Sequence, residues 1–347
     1  AGRPSPDQGA AGTHRAGRCP SLAGGSALTA ANAGSASQIV CNLALGPANR
    51  LRVWAGLDGR LYVTQDGGQS WSPVDLGVPV DVATAVAVDP SDASRIYVGA
   101  GTGILRGRVY ASADGGSSWN PADKGLSGFY SYAVASHPSQ GATAYGVSGS
   151  RVYRTNDAGG DWTLQGTASF ALTALLVDPT VPDTLYAGYA SPPGGSGVLK
   201  SVDGGANWNP ATAGLSVSIL NRLAIARSAP DRLPAASFEG LFGTLDGGGL
   251  WSPLLSGDVL AAAVDPADVS ILYAGLANVG PSGFGLLRSS DGGATWAAPA
   301  GIPAGYLHYN DFAIPVADPF RVYAATSTGV FRSQDRGASF SPANTGL

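Results

Sequence analysis

The chain has 347 residues, 44% of them apolar, and its 18 Arg, 2 Lys, 23 Asp and single Glu give a net charge of −4. Charged residues make up only 13%, about half the usual share, which excludes both a basic nucleic-acid footprint and a charge-swollen disordered chain. Fifty-one Gly and 24 Pro predict frequent turns, and the scarcity of Lys and Glu argues against long amphipathic helices.

Residues 1–37 are rich in Gly, Ala, Ser and Pro, with Arg3, Arg15 and Arg18 and few strand formers. They read as a tail or linker, separate from a second region at 38–347. Cys19 and Cys41 are the only cysteines. They read as one disulfide pinning the tail to the start of the second region, the alternative being two buried thiols. The chain has no Met and no apolar run of 18 residues. No membrane span is therefore expected, and a mature secreted chain, extracellular or periplasmic, is. The tail is also a candidate assembly or closure element, which would make the protein a homo-oligomer or polymer.

From residue 38 onward one motif returns seven times. Its copies are Thr64-Gln-Asp66-Gly-Gly-Gln-Ser-Trp71, Ser112-Ala-Asp114-Gly-Gly-Ser-Ser-Trp119, Thr155-Asn-Asp157-Ala-Gly-Gly-Asp-Trp162, Ser201-Val-Asp203-Gly-Gly-Ala-Asn-Trp208, Thr244-Leu-Asp246-Gly-Gly-Gly-Leu-Trp251, Ser289-Ser-Asp291-Gly-Gly-Ala-Thr-Trp296 and Ser333-Gln-Asp335-Arg-Gly-Ala-Ser-Phe340. The aspartates stand 48, 43, 46, 43, 45 and 44 residues apart. Before each box lies a short apolar strand such as Leu61-Tyr62-Val63 or Val330-Phe331. Before that lies another, such as Ile96-Tyr97-Val98 or Val322-Tyr323-Ala324. Earlier still comes a small apolar strand ending in Asp-Pro (Ala85 to Pro90, Leu175 to Pro179, Ala261 to Pro266), with His137-Pro138 and Asp318-Pro319 as variants. A fourth strand starts at the aromatic residue. Four strands in about 44 residues is the period of a propeller blade. The predicted fold is all-β, a seven-bladed β-propeller of four-stranded antiparallel blades, one box per blade.

The box has a mechanical reading. Asp accepts backbone N–H bonds two or three residues on, and the glycines supply positive φ at the hairpin between strands three and four. The aromatic ring is buried between blades, its N–H needing a partner. Seven copies in one slot mark the boxes as structural staples, not catalytic groups.

These boxes resemble the Asp-box or BNR repeat, Ser/Thr-x-Asp-x-Gly-x-x-Trp, over residues 38–347. That family includes sialidases, xyloglucan-cleaving glucanases, sortilin-type receptors and propellers that assist photosystem II assembly. Asp-Pro, Tyr-Ala-Gly and Arg-Ser-x-Asp-Gly-Gly-x-x-Trp are most similar to the glucanase-like and assembly-factor-like members. The resemblance implies that ligands bind on the face opposite the boxes, at the hairpins between strands two and three and at the links between blades.

On that face Tyr130, Tyr132, Arg222, Tyr306, His308 and Tyr309 are the candidate ligand-binding residues. A glycosidase needs two carboxyls flanking the scissile bond, and Glu239, Asp258 and Asp311 are the candidates. A sialidase is disfavoured: the resemblance would require three arginines gripping the substrate and an Arg-Ile-Pro segment, whereas only Arg106 and Arg222 point inward as candidates and Arg95-Ile96-Tyr97 is a strand. The xyloglucan-cleaving enzymes place their cleft between two propellers, and one is expected here. His14, His137 and His308 form no i, i+4 pair, so no metal and no cofactor is expected. The first reading is a secreted, non-enzymatic scaffold that binds protein or glycan partners. The second is a glycoside hydrolase acting on an extracellular polysaccharide.

Overall fold

Each repeat unit folds as its own antiparallel sheet. A computed structural model describes residues 39–46, 49–57, 60–77, 82–102, 106–127, 133–191, 195–277, 285–303 and 307–347, and these contain no helix. The first unit runs Val40–Leu45, Val53–Leu57, Arg60–Thr64 and Ser72–Val74; the seventh runs Tyr309–Ala313, Val322–Thr326, Gly329–Ser333 and Ser341–Pro342. In the sixth, Val259–Val264, Leu272–Leu276 and Leu286–Ser289 form three strands, and a single bridge between Arg288 and Ala297 stands for the fourth. The first strands of successive units pack side by side, and that of unit seven packs on that of unit one. The seven sheets are therefore blades of a closed propeller, with first strands innermost. Among the described residues no strand is shared between the first and last blades. The alternation of strand direction puts the boxes at one end of the ring. Hairpins between strands two and three, and links between blades, lie at the other.

Six of the seven first strands slip register by one residue, between Val40/Asn42, Ala83/Ala85, Leu172/Ala174, Leu220/Arg222, Val259/Ala261 and Tyr309/Asp311. A bulge bends its strand and re-aims the residue after it. The residues after the bulge face Gly56, Gly99, Gly188, Ala236, Gly275 and Ala325 on the second strands. Small partners are needed because blades meet closely there: a Cβ on Gly275 would lie 2.6 Å from Tyr309 Cβ.

The box turn is built around its hydroxyl as much as its carboxylate. In all seven copies the Ser or Thr hydroxyl donates to the Asp Oδ1. The same oxygen of that hydroxyl accepts the N–H four residues later. The Asp Oδ1 in turn accepts the N–H four residues beyond the Asp, one residue further on than the turn pattern predicts. The residue after the Asp has positive φ in every box, and in two it is not glycine: Ala158 at 61° and Arg336 at 61°.

The box aromatics divide into two kinds of blade joint. Trp71, Trp162, Trp251 and Phe340 are buried, and the three indoles donate to a carbonyl of the preceding blade: Ala343 (2.8 Å), Ala122 (2.7 Å) and Ala211 (2.8 Å). Each acceptor is the alanine of a Pro-Ala-x-x-Gly-Leu run whose glycine passes against the next blade's aromatic residue. A Cβ on Gly125 would lie 2.2 Å from Trp162 O, and one on Gly346 2.3 Å from Trp71 O. A ring of this size withdraws roughly 200 Å² from water, or at most about 5 kcal/mol per joint. Trp119, Trp208 and Trp296 are only half-buried; Trp208 turns its N–H to Gly205 of its own box (3.0 Å).

Two elements differ from the sequence pattern. Blade five takes its second strand from Leu233–Ser237, a segment without the aromatic residue that marks this strand elsewhere and with Pro234 inside it. The segment Gly188 to Gly197, rich in Gly and Pro, is mostly hairpin: the strands Leu185–Ser191 and Gly195–Ser201 pair from Leu185/Ser201 out to Ser191/Gly195.

Candidate functional site

The mouth of the ring opposite the boxes carries the most concentrated polar chemistry. Bulges place Arg222 on blade five and Asp311 on blade seven at the same register position of their first strands. The two meet beside blade six with Arg222 Nη2 2.6 Å from Asp311 Oδ2. Arg222 Nη2 also lies 3.4 Å from the Asn310 carbonyl. Asp311 Oδ2 accepts the Leu43 N–H of blade one (2.9 Å), and Oδ1 accepts the Phe312 N–H (2.9 Å). The Asp311 side chain is 16% exposed and that of Arg222 32%. Burial raises the Asp311 carboxyl above the usual range, against the opposing pull of Arg222 and the two backbone N–H groups.

The bulged residues themselves act as clips. Asn310 Nδ2 donates to Val40 O of the next blade (2.9 Å), and Asn221 Nδ2 donates to Val259 O (2.7 Å). Both acceptors are the residue just before the next blade's bulge. Blades five, seven and one thus line the mouth with Arg222, Asp311 and Asn42, where blades two, four and six carry Ala85, Ala174 and Ala261.

Of the other candidates, Glu239 sits in the blade-five hairpin, where its Oε1 accepts both the N–H (3.0 Å) and the hydroxyl of Ser218. Asp258 accepts the Ala277 N–H at its backbone carbonyl (2.8 Å). His308 is buried, its backbone paired with Ser327. Tyr309 is fully buried, its ring 6.5 Å from that of Phe331, and burial drives its phenol pKa strongly upward. That places Tyr309 in the joint between blades six and seven, packed against Gly275. Tyr130, Tyr132 and Tyr306 lie outside the described residues, as do Cys19 and the segment 1–37; Cys41 is the bulged residue of blade one. Among the described residues no three His, Cys, Asp or Glu side chains converge as metal ligands.

One feature of this face escapes the sequence pattern. Phe170, in the link to blade four, stacks on Tyr189 of the extended hairpin, with centroids 4.4 Å apart and planes 15° from parallel. Both rings are half-buried, packed against the core around Leu172 and Leu175. Tyr189 escapes because the Gly- and Pro-rich stretch that follows it lacks the apolar alternation of a strand.

Comparison with known proteins agrees with this architecture. The BNR/Asp-box repeat family model matches residues 62–73, within the first box and its flanking strand. At the level of sequence, no curated protein matches the chain. The fold is similar to the GH74 xyloglucanase from Xanthomonas campestris, with a TM-score of 0.73 and 20% identity over 90% of this chain and 55% of that one. It is similar to YCF48 bound to D1 peptide (TM-score 0.66, 21% identity, 86% of this chain and 93% of that one). It is also similar to YCF48 from Cyanidioschyzon merolae (TM-score 0.62, 18% identity, 85% and 95%). The chain therefore spans about half the length of the xyloglucanase it matches. At these identities the likeness establishes the Asp-box propeller fold and leaves function to the site.

Proposed function

We propose that this Asp-box β-propeller is an extracellular, non-enzymatic scaffold that docks a peptide or glycan on the face opposite its boxes. The observation that carries this reading is the occupation of the carboxylates. Hydrolysis of a glycosidic bond needs one carboxyl as acid and a second as base or nucleophile. Asp311 is held by Arg222 and two backbone N–H groups, and Glu239 by Ser218. Two of the three candidates are thereby engaged in holding structure.

The binding surface is assigned to the stacked Phe170–Tyr189 pair and the polar mouth around Arg222. A flat aromatic face beside hydrogen-bonding groups suits a sugar ring or a peptide side chain. The match to YCF48 bound to D1 peptide, which extends over 93% of that chain, supports this reading; the xyloglucanase is matched over only 55% of its length. Residues 1–37, with a Cys19–Cys41 bridge, are assigned to self-assembly.

The test pairs two assays. Incubation with xyloglucan and other β-glucans is expected to release no reducing sugar. Release that disappears in Glu239→Gln or Asp258→Asn overturns the scaffold reading in favour of a glycoside hydrolase. On peptide and glycan arrays, binding by the wild-type chain is expected to fall at least tenfold in Phe170→Ala/Tyr189→Ala.

A further inference from the structure

One joint of the ring lacks the side chain that fills the other six. In six blades the second strand carries an aromatic residue opposite the residue just before the box hydroxyl. The pairs are Trp54 with Val63, Tyr97 with Ala111, Tyr145 with Arg154, Tyr186 with Lys200, Tyr273 with Arg288 and Tyr323 with Arg332. All six aromatics are buried, and each reaches the box of the following blade. Tyr273 Oη donates to the Arg336 carbonyl (2.8 Å), the residue just after the Asp of box seven. A Cβ on Gly67, Gly204 or Gly247, the same place in boxes one, four and five, would lie 3.2, 3.6 or 2.9 Å from the hydroxyl oxygen of Tyr323, Tyr145 or Tyr186. In blade five the paired positions hold Pro234 and Gly243, so neither an aromatic ring nor a long side chain enters the joint with blade six.

The blade-six box shows the consequence. Leu254 leans in far enough to cover Gly293, where an added Cβ would lie 3.2 Å from its Cδ1, but a Cβ on Gly292 would meet nothing within 4 Å. A cavity of about 300 Å³ opens between the two blades, lined by Pro234, Gly243, Leu254, Val269, Leu272 and Gly292 among others. An apolar cavity of about 150 Å³ already takes up benzene, and about 300 Å³ is the small end of ligand-sized clefts. The volume suits one ring with a few further atoms. Arg232 and Asp246 also line the cavity, one charge of each sign, which leaves no net charge to favour an ionised ligand. Residues 1–37 contain no Phe, Tyr or Trp, so the tail has no ring to place there.

We infer that the slot between blades five and six binds a neutral small molecule of the phenol class. Its ring takes the place that a tyrosine of the preceding blade fills at sister joints, and its hydroxyl donates to the Gly292 carbonyl as Tyr273 does to Arg336. The slot lies at the box-bearing end of the ring, apart from the mouth around Arg222, so its test and that of the proposed function stand or fall separately.

The full chain is titrated with 4-fluorophenol and with fluorobenzene near neutral pH, and binding is followed by fluorine NMR. A saturable shift is expected for 4-fluorophenol, with fluorobenzene binding several-fold more weakly for want of the hydroxyl. Two substitutions fill the slot from opposite sides. Pro234→Tyr restores the residue that sister blades carry, and Val269→Phe inserts a ring from a half-buried position on blade six. Each is expected to weaken 4-fluorophenol at least tenfold, and Pro234→Tyr also to raise the melting temperature by filling the vacancy. If one variant fails to fold, the other carries the comparison. Absence of a saturable shift, equal binding by a folded variant, or equal affinity for fluorobenzene overturns the inference. A blocked Gly-Tyr-Gly peptide that displaces 4-fluorophenol at lower concentration than p-cresol does also overturns it, assigning the slot to a tyrosine of a partner protein.

Discussion

A box turn stands on one carboxylate, and the acidity of that carboxylate reports how fully it is used. The Ser118 hydroxyl, the Ser118 N–H and the Ser112 hydroxyl hold Asp114 down at about 2. Asp203 and Asp291 are held at about 2 by the same kinds of bonds. At Asp66 burial pushes upward, but the bonds from Ser70, Thr64 and Gln69 prevail and the value is again about 2. Unfolded, these groups titrate near the ordinary value of about 3.9. Their folded values are depressed, so the stability they contribute is present above about pH 4 and is lost as pH falls toward 2. Urea midpoints measured from pH 5 to 2.5 are expected to hold steady at first and then fall below about pH 4; a flat profile would contradict the box's electrostatic role. The same turn sets a backbone prediction. Ala158 occupies the left-handed position that glycine fills in five sister boxes, where a side chain costs about 1 kcal/mol. Ala158→Gly is therefore expected to raise the melting temperature, by up to about 1 kcal/mol in stability after the entropy of the added glycine.

At the scale of the element, the turn after the first strand shows, in blades two, three, four and six, one geometry served by two chemistries. Asp89 Oδ1 accepts the N–H of Ser91 (2.8 Å) and Asp92 (3.2 Å); Asp178 and Asp265 do the same for their own turns. In blade three His137 takes the place of the carboxylate, and its Nδ1 accepts from Ser139 (3.2 Å) and Gln140 (3.0 Å). Only a neutral imidazole can accept at Nδ1, so the turn fixes the Nε2–H tautomer. Burial lowers the His137 pKa, Arg154 lowers it further, and Asp183 and Asp89 pull weakly the other way. A lowered folded value means the unfolded chain binds the proton first. The turn's contribution is thus complete above about pH 6.5 and is lost as pH falls from there through the folded value. The protection factors of the Ser139, Gln140 and Thr143 amides, taken against the intrinsic exchange rate at each pH, are expected to fall between pH 7 and 5, and His137→Asp to abolish that dependence. The pattern is legible in the sequence as Asp-Pro with a His-Pro variant. The hydrogen-bond role is not, because it depends on which ring nitrogen faces the turn. For the same reason the box aspartates are readable and the role of the hydroxyls beside them is not: both lie within eight residues, but only three-dimensional geometry shows the hydroxyl donating and accepting at once.

At the scale of the whole molecule, legibility ends where contacts become long-range. Seven blades follow from seven boxes, since each blade is built from one continuous stretch of chain. The Arg222–Asp311 pair does not follow, because a one-residue bulge decides which way each side chain faces, and the sequence carries no mark of it. Ring closure is the sharpest case. Among the described residues no strand is shared between them, and blade one holds blade seven by side chains and loops. Trp71 donates its indole N–H to Ala343 O and its backbone N–H to Thr345 O, both at 2.8 Å. Arg332 Nη1 donates to Gly67 O (2.7 Å), and Asn310 Nδ2 to Val40 O (2.9 Å). This is the joint that Trp162 makes with Ala122 and Trp251 with Ala211, reused where the first and last blades meet. These contacts join the first and last blades among the described residues, and the assembly role proposed for residues 1–37 is a separate matter. Two variants separate the roles. Trp71→Ala is expected to cost about 3–5 kcal/mol, to quicken amide exchange in both terminal blades and to leave the mass in solution unchanged. Deletion of residues 1–37 is expected to leave the melting temperature nearly unchanged while lowering the mass seen by light scattering. If the deletion melts the ring as Trp71→Ala does, the tail is part of the closure and the assembly role assigned to it is wrong.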